Sequence, residues 1–282
     1  MTAKNYQTLL LQLQRQLAAA GIEAASVEAE LMLAAVLHCR RPELFLYRQE
    51  AVDPAVEAAL EPLLCRRRRR EPWQYIEGVA PFMNLMLEVT PDVLIPRPET
   101  ELLVELVLES LPPQADVLDI GTGSGAIALS LAFERPDLMV TAVDISPRAL
   151  AVAERNRRNY ALANVTLLES DLFSGVAGRR FAAITANLPY VSEAEYRQLE
   201  PEVRDYEPAL ALTAPEAGLA LIRQTIEQAP DYLQPDGLLI LENGAGQGES
   251  VAALLRRSGS FHAIELHQDY NGFNRFAAGR KR

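Results

Sequence analysis

The chain has 282 residues, 49% of them hydrophobic and 23% charged, enough for roughly two domains and the mix of an ordinary folded protein. Thirty-eight acidic against 27 basic residues give a net charge of -11, which argues against broad non-specific nucleic-acid binding. Two cysteines, Cys39 and Cys65, cannot build a disulfide framework, no apolar run has membrane-spanning length, and the start MTAKNYQ lacks the order of a secretion signal. The expectation is a cytoplasmic protein.

The first ~70 residues read as helices. Leu9, Leu10, Leu13 and Leu17 recur at helical spacing before a stop at Gly21. A second helix follows Ser26, with Glu28 and Glu30 in its first turn, and a third opens at Asp53-Pro54, a cap followed by proline. The basic run Arg66 to Arg70 reads as a solvated helix C-terminus, where cations complement the dipole, in preference to a contact for RNA or for an acidic protein face. From Trp73 to Pro98, aromatic and β-branched residues around turn signals predict a β-hairpin and extended linker.

Beyond Glu99 a helix (ELLVELVLESL) stops at Pro112-Pro113, and then strands and helices alternate. VLDI, MVTAVDI, VTLLES, FAAITAN and GLLILEN read as buried strands with helical segments between them. That order predicts βαβ units and a mainly parallel sheet. Asn271-Gly272 between two short strand-like runs predicts a closing antiparallel hairpin.

Three local patterns carry chemistry. VLDI runs into Gly121-Thr122-Gly123-Ser124-Gly125 and then a helix, a loop that brings backbone amides close to a ligand. Gly121, Gly123 and Ala126 also satisfy a relaxed dinucleotide fingerprint, so a nicotinamide-dependent oxidoreductase is one reading. Asp119, two residues before the loop, favours a cationic ligand over a pyrophosphate, and Asp144 at the end of the next strand suits ribose hydroxyls. The strand FAAITA ends in Asn187-Leu188-Pro189-Tyr190. There the Asn187 carboxamide and the Leu188 carbonyl, aimed outward by Pro189, offer two acceptors for a planar N–H group, and Tyr190 offers a flat face. Gripping both N–H bonds would hold a weakly nucleophilic nitrogen in line with a methyl donor, catalysis by positioning. His38, His262 and His267 are scattered without metal-ligand spacing, and both cysteines lie away from these motifs. Ser124 does not sit in a nucleophile elbow, and Glu242 ends a further strand near the expected cleft.

PWQYIEG (72–78), VLIPRPETE (93–101), LDIGTGSGAIAL (118–129), AVDIS (142–146), SDLF (170–173), ANLPYV (186–191) and EPALAL (207–212) occur in that order. The set resembles the HemK/PrmC proteins, methyltransferases of peptide-chain release factors, over almost the full length. The resemblance implies a class I Rossmann-like methyltransferase domain at 99–282 (a mainly parallel seven-stranded sheet with a C-terminal antiparallel hairpin). It also implies an N-terminal helical bundle at 1–72 that helps dock the release factor, a β-hairpin linker at 73–98, and a monomer. It implies S-adenosylmethionine over Gly121, Thr122, Gly123, Ser124 and Gly125, with ribose on Asp144, adenine beside Asp171 and Leu172, Asn187 shared between cofactor and substrate, and no metal. Asn187, Leu188, Pro189 and Tyr190 would clamp the glutamine of a glycine-glycine-glutamine loop, whose amide nitrogen is methylated with S-adenosylhomocysteine as product. Position 188 is leucine where that family usually has proline, and Asn-Leu-Pro-Tyr also suits adenine-N6 methyltransferases acting on ribosomal RNA or DNA, which is the alternative reading. A non-catalytic binding module is disfavoured by the intact Asn-Leu-Pro-Tyr.

Overall fold

The computed structural model of the protein describes residues 4–282 and divides into two compact units. The first comprises the described residues up to Gly78 together with Pro201–Tyr206, and the second comprises Val79–Glu200 and Glu207–Arg282.

The first unit is helical: α1 (Tyr6–Ala19), α2 (Ala25–Leu37), α3 (Leu44–Tyr47), α4 (Pro54–Arg68) and α5 (Trp73–Glu77). Asn5 caps α1 by accepting from the Thr8 amide, and Asp53 caps α4 by accepting from the Ala55 amide. Leu9, Leu13 and Leu17 form one buried stripe of α1 and pack with Met32, Leu60 and Leu64. Trp73–Glu77 is a helix rather than the start of an extended linker. Its aromatic content suggests a strand, but Trp73 and Ile76 bury their side chains in this helical core, and burial overrides local β-propensity.

The arginine run is also more than a solvated helix end. Arg67 is buried, its guanidinium bridging Glu28 (2.5 Å) and Glu202 (2.9 Å), while Arg66 pairs with Glu71 and Arg70 with Glu202, each at 2.5 Å. Only Arg68 and Arg69 keep the exposed positions expected of the whole run.

The second unit opens with the antiparallel hairpin β1 (Val79–Phe82) and β2 (Leu85–Glu88). It continues with α6 (Thr100–Ser110), β3 (Asp116–Ile120), α7 (Ala126–Glu134), β4 (Met139–Asp144), α8 (Pro147–Asn159), β5 (Val165–Glu169) and β6 (Phe181–Ala186). Then come α9 (Ala220–Tyr232), β7 (Leu233–Glu242), α10 (Gly248–Ser258), β8 (Phe261–Gln268) and β9 (Asn274–Lys281). Seven strands form one sheet in the order β5-β4-β3-β6-β7-β9-β8; β5 to β7 are parallel, and β9 runs antiparallel to both β7 and β8. The predicted seven-stranded, mainly parallel sheet with an antiparallel C-terminal hairpin is what the chain forms.

Helices cover both faces, so the central strands are apolar on both sides. One core layer holds Val117, Val140, Leu129, Leu103 and Phe276, and the other holds Leu118, Ile184, Leu239, Ile226 and Phe261. Chain order reverses between β3 and β6, leaving a crevice outside their carboxyl ends. Among the described residues no helix is long and apolar enough to cross a membrane.

Candidate active site at the carboxyl ends of the strands

Register brings four chemically active positions to one edge of the sheet. Ile120 pairs with Val143 and with Ala186, and Ala186 with Leu241, so the residues that follow β3 and β6 and those that end β4 and β7 are neighbours. They are the glycine loop, Asn187, Asp144 and Glu242. Outside them lies a cavity of about 510 Å³.

The glycine loop needs glycine for three different reasons. Gly121, Gly123 and Gly125 have φ of 74°, 58° and 87°, a region L side chains rarely adopt. A Cβ on Gly121 would press on Leu188 at 3.2 Å, one on Gly125 would collide with Leu129 at 2.8 Å, and one on Gly123 would point into open space. Gly121, Thr122, Gly123 and Ser124 therefore line the cavity, whereas Gly125 is not on its wall and allows close packing at the start of α7.

Asp144 lines the cavity and is locked in place: Oδ2 accepts from the Gly123 N–H and Oδ1 from the Ser146 N–H, both at 2.9 Å. Burial raises its proton affinity, and those two amides partly offset the effect. Asp119 is completely buried beneath the loop and does not reach the cavity wall. Thr185 donates to its Oδ1 at 2.9 Å, while Oδ2 has no hydrogen-bond partner among the described residues. Burial pushes this carboxyl up to about 6. Asp171 and Leu172 join the same cavity from the loop after β5.

Asn187, Leu188 and Pro189 line the cavity on the β6 side; Tyr190 does not. Its hydroxyl turns back to donate to Glu242 Oε1 at 3.3 Å, and Arg275 stands 6.0 Å over its ring. Desolvation and the neighbouring Glu242 carboxyl push the Tyr190 phenol well above its usual range. The Tyr190 ring itself is half-buried.

Sequence reasoning missed several buried residues that tie the cavity's segments together. Asn156 on α8 is fully buried, donates to the Ser124 carbonyl (2.9 Å) and the Glu88 carbonyl (3.0 Å), and accepts from the Glu88 amide (2.7 Å). One carboxamide thereby ties the glycine loop to the hairpin. A second buried carboxylate joins two of the motifs. Glu207 of EPALAL accepts from Arg97 of IPRPETE at 2.6 Å and from the Ile95 amide at 3.1 Å, although burial still raises its proton affinity. Only the buried position of a lone Asn or Glu in otherwise amphipathic surroundings marks such residues, and that is set by tertiary structure.

Thr100, also of IPRPETE, is buried at the cavity wall and connects Asn187 to Glu242. The Asn187 side-chain N–H donates to Thr100 Oγ1 at 3.2 Å, and Thr100 donates to Glu242 Oε2 at 2.7 Å.

Comparison with known proteins agrees with this architecture. Residues 8–78 match the PrmC N-terminal domain and residues 98–200 the methyltransferase small domain. A release factor glutamine methyltransferase of Geobacter sulfurreducens is 43% identical, over 94% of this chain and 92% of its own length. The Escherichia coli protein of that name is 41% identical over 98% of each chain. A crystal structure of a methyltransferase from Pyrococcus furiosus covers 71% of this chain and 89% of its own at 20% identity, with a TM-score of 0.54, a likeness of fold. Identity at this level across nearly the whole length of both chains places the protein in the release factor glutamine methyltransferase family.

Proposed function

We propose that this chain methylates the side-chain amide nitrogen of a release-factor glutamine, in a glycine-glycine-glutamine loop, using S-adenosylmethionine. The observation that carries the reading is one cavity lined by the glycine loop, Asp144 and Asn187-Leu188-Pro189 together. The residues fit that cofactor. Gly123 leaves open backbone where a side chain would stand, Asp144 presents a fixed carboxylate to hydroxyl donors, and the half-satisfied Asp119 beneath the loop favours a cation. Gly121 to Ser124 would hold the cofactor with Asp144 on its ribose and Asp171 and Leu172 beside its adenine. When bound, it supplies an electrophilic methyl group.

The chain's own residues supply position and electrostatics. The Asn187 carboxamide oxygen and the Leu188 carbonyl accept the two N–H bonds of the incoming amide. Pro189 restricts Leu188 to extended backbone. Leu188 is buried against Gly121, so its side chain also packs the clamp onto the glycine loop. Binding both N–H bonds keeps the nitrogen lone pair pointed across the amide plane, and no side-chain base is needed before attack. Tyr190 contributes by packing and by its bond to Glu242 rather than by touching the amide. The helical unit is assigned to docking the release factor, on the same reading.

Transfer of labelled methyl from S-adenosylmethionine to a purified release factor tests this. The expected result is incorporation that disappears when the loop glutamine of the release factor is replaced by alanine; undiminished incorporation into that variant would refute the substrate assignment.

A further inference from the structure

Asn187 has a carboxamide whose two ends are nearly the same size, yet only one can face an incoming amide N–H. The oxygen accepts a hydrogen bond, whereas the NH2 group would meet it donor against donor. A flip of the side chain by half a turn would therefore abolish the grip while changing shape hardly at all. Something in the protein has to choose the orientation.

We propose that Thr100 and Glu242 are positioning residues that set the orientation of the Asn187 carboxamide and so present its oxygen to the substrate. One proton decides the matter. Thr100 has a single hydroxyl hydrogen, and it is given to Glu242 Oε2 at 2.7 Å. An ionised carboxylate only accepts, so that hydrogen cannot turn around. Thr100 Oγ1 is left with lone pairs alone toward Asn187, and it accepts the Asn187 Nδ2–H at 3.2 Å. The carboxamide oxygen is thereby directed away from Thr100. Glu242 is itself held from its other side, Oε1 accepting from the Tyr190 hydroxyl at 3.3 Å.

Both members are nearly shut off from solvent, at 4% exposure for Thr100 and 1% for Glu242, so bulk water competes little for the bond between them. The charged and titratable groups around Glu242 come from three directions. Arg275 on β9 favours its ionised form, Glu99 at the head of α6 opposes it, and Tyr190 donates to it. Burial leaves the carboxyl at about 6, so it is an acceptor-only anion above neutral pH. Ordinary packing would not require this arrangement: a valine at position 100 would fill the same volume without selecting either end of the amide.

The inference rests on the reading that Asn187 grips the substrate amide, and its test separates the two. Thr100→Val, Thr100→Ser and Glu242→Gln are compared with wild type in the full-length protein. Steady-state turnover uses a full-length release factor, cofactor affinity uses equilibrium dialysis, and water exchange of the Asn187 side-chain amide protons is followed by NMR. Valine removes the hydroxyl and keeps the shape. Serine keeps the hydroxyl and loses the methyl. Glutamine at 242 can donate to Thr100 and release its hydrogen toward Asn187.

Thr100→Val and Glu242→Gln are expected to lower kcat by about 10–100-fold, the effect of a misplaced reacting group, with the dissociation constant of S-adenosylmethionine within about twofold. Thr100→Ser restores most of the turnover. Amide exchange of Asn187 accelerates about fivefold in the valine and glutamine variants, as expected for one lost hydrogen bond. Serine falling as far as valine would reduce Thr100 to a packing role and overturn the proposal. So would wild-type kcat in Glu242→Gln, or Asn187 exchange unchanged in Glu242→Gln and Thr100→Val. If the wild-type protein transfers no methyl to release factors while the exchange pattern holds, the substrate reading fails and the positioning relay stands.

Discussion

The Asp144 carboxylate accepts the backbone N–H of Gly123 at 2.9 Å, which couples the end of β4 to the turn that follows β3. The bond holds the glycine loop open above the sheet and fixes the carboxylate that faces the cavity. Replacing Asp144 by alanine removes both effects. Cofactor affinity is expected to fall by about 1–3 kcal/mol, the scale of lost hydrogen bonds in a partly buried site. Isothermal titration of the variant measures this, and an unchanged dissociation constant would remove Asp144 from the binding site.

Asn187 has a different assignment and a different signature. Asn187→Ala is expected to abolish turnover while leaving cofactor affinity within a few-fold, because the loop and Asp144 remain intact. Measuring kcat beside the dissociation constant separates the two. A loss of binding as large as the loss of turnover would make Asn187 a cofactor ligand rather than a substrate clamp.

Asp119 trades stability for charge. Its carboxyl titrates near 6 when folded against 3.8 for the ordinary group, so the folded state binds more protons than the unfolded state between those values. Stability from this group therefore falls as pH rises through that window. The penalty reaches about 3 kcal/mol above it, at about 1.4 kcal/mol for each tenfold change in proton affinity. Asp119→Asn removes the penalty and still accepts from Thr185. Melting temperatures of the ligand-free proteins should differ little at about pH 3, below both values, and favour the variant by several degrees at about pH 8. A variant less stable than wild type at the higher pH would contradict this assignment.

Gly218 supports the segment after β6 from outside the cavity. Its φ is 84°, and a Cβ there would stand 1.8 Å from the Tyr190 carbonyl oxygen and 2.8 Å from the Gln247 side-chain nitrogen that donates to the same carbonyl. Gly218→Ala must displace backbone, so both melting temperature and kcat are expected to drop, the latter by about 10²-fold if the clamp shifts by an ångström. Near-normal kinetics in this variant would show that the Asn187 to Tyr190 segment tolerates movement.

The legible parts of the fold are those encoded locally. Buried parallel strands need largely apolar runs such as VLDI and FAAITA, and the loop after β3 needs three glycines in the left-handed region. The sheet, its closing hairpin and the positions of Asp144 and Asn187 follow from such patterns. Long-range pairing is not legible. Thr100 lies 87 residues from Asn187 and 142 from Glu242, and Arg67 lies 135 residues from Glu202, so no spacing rule connects them. The Tyr190 hydroxyl pairs with Glu242, 52 residues further on, which the motif around it does not show. The Trp73 segment looks extended by composition and is helical because two of its apolar side chains complete the helical core.

The identity of the methylated atom decides the function. The direct measurement incubates the purified protein with labelled S-adenosylmethionine, a release factor and total ribosomal RNA together, and locates the added methyl by mass spectrometry. The expected product carries a methyl on the side-chain amide nitrogen of the release-factor loop glutamine, with none on RNA. A methyl on adenine, with the release factor unmodified, would contradict the proposed function.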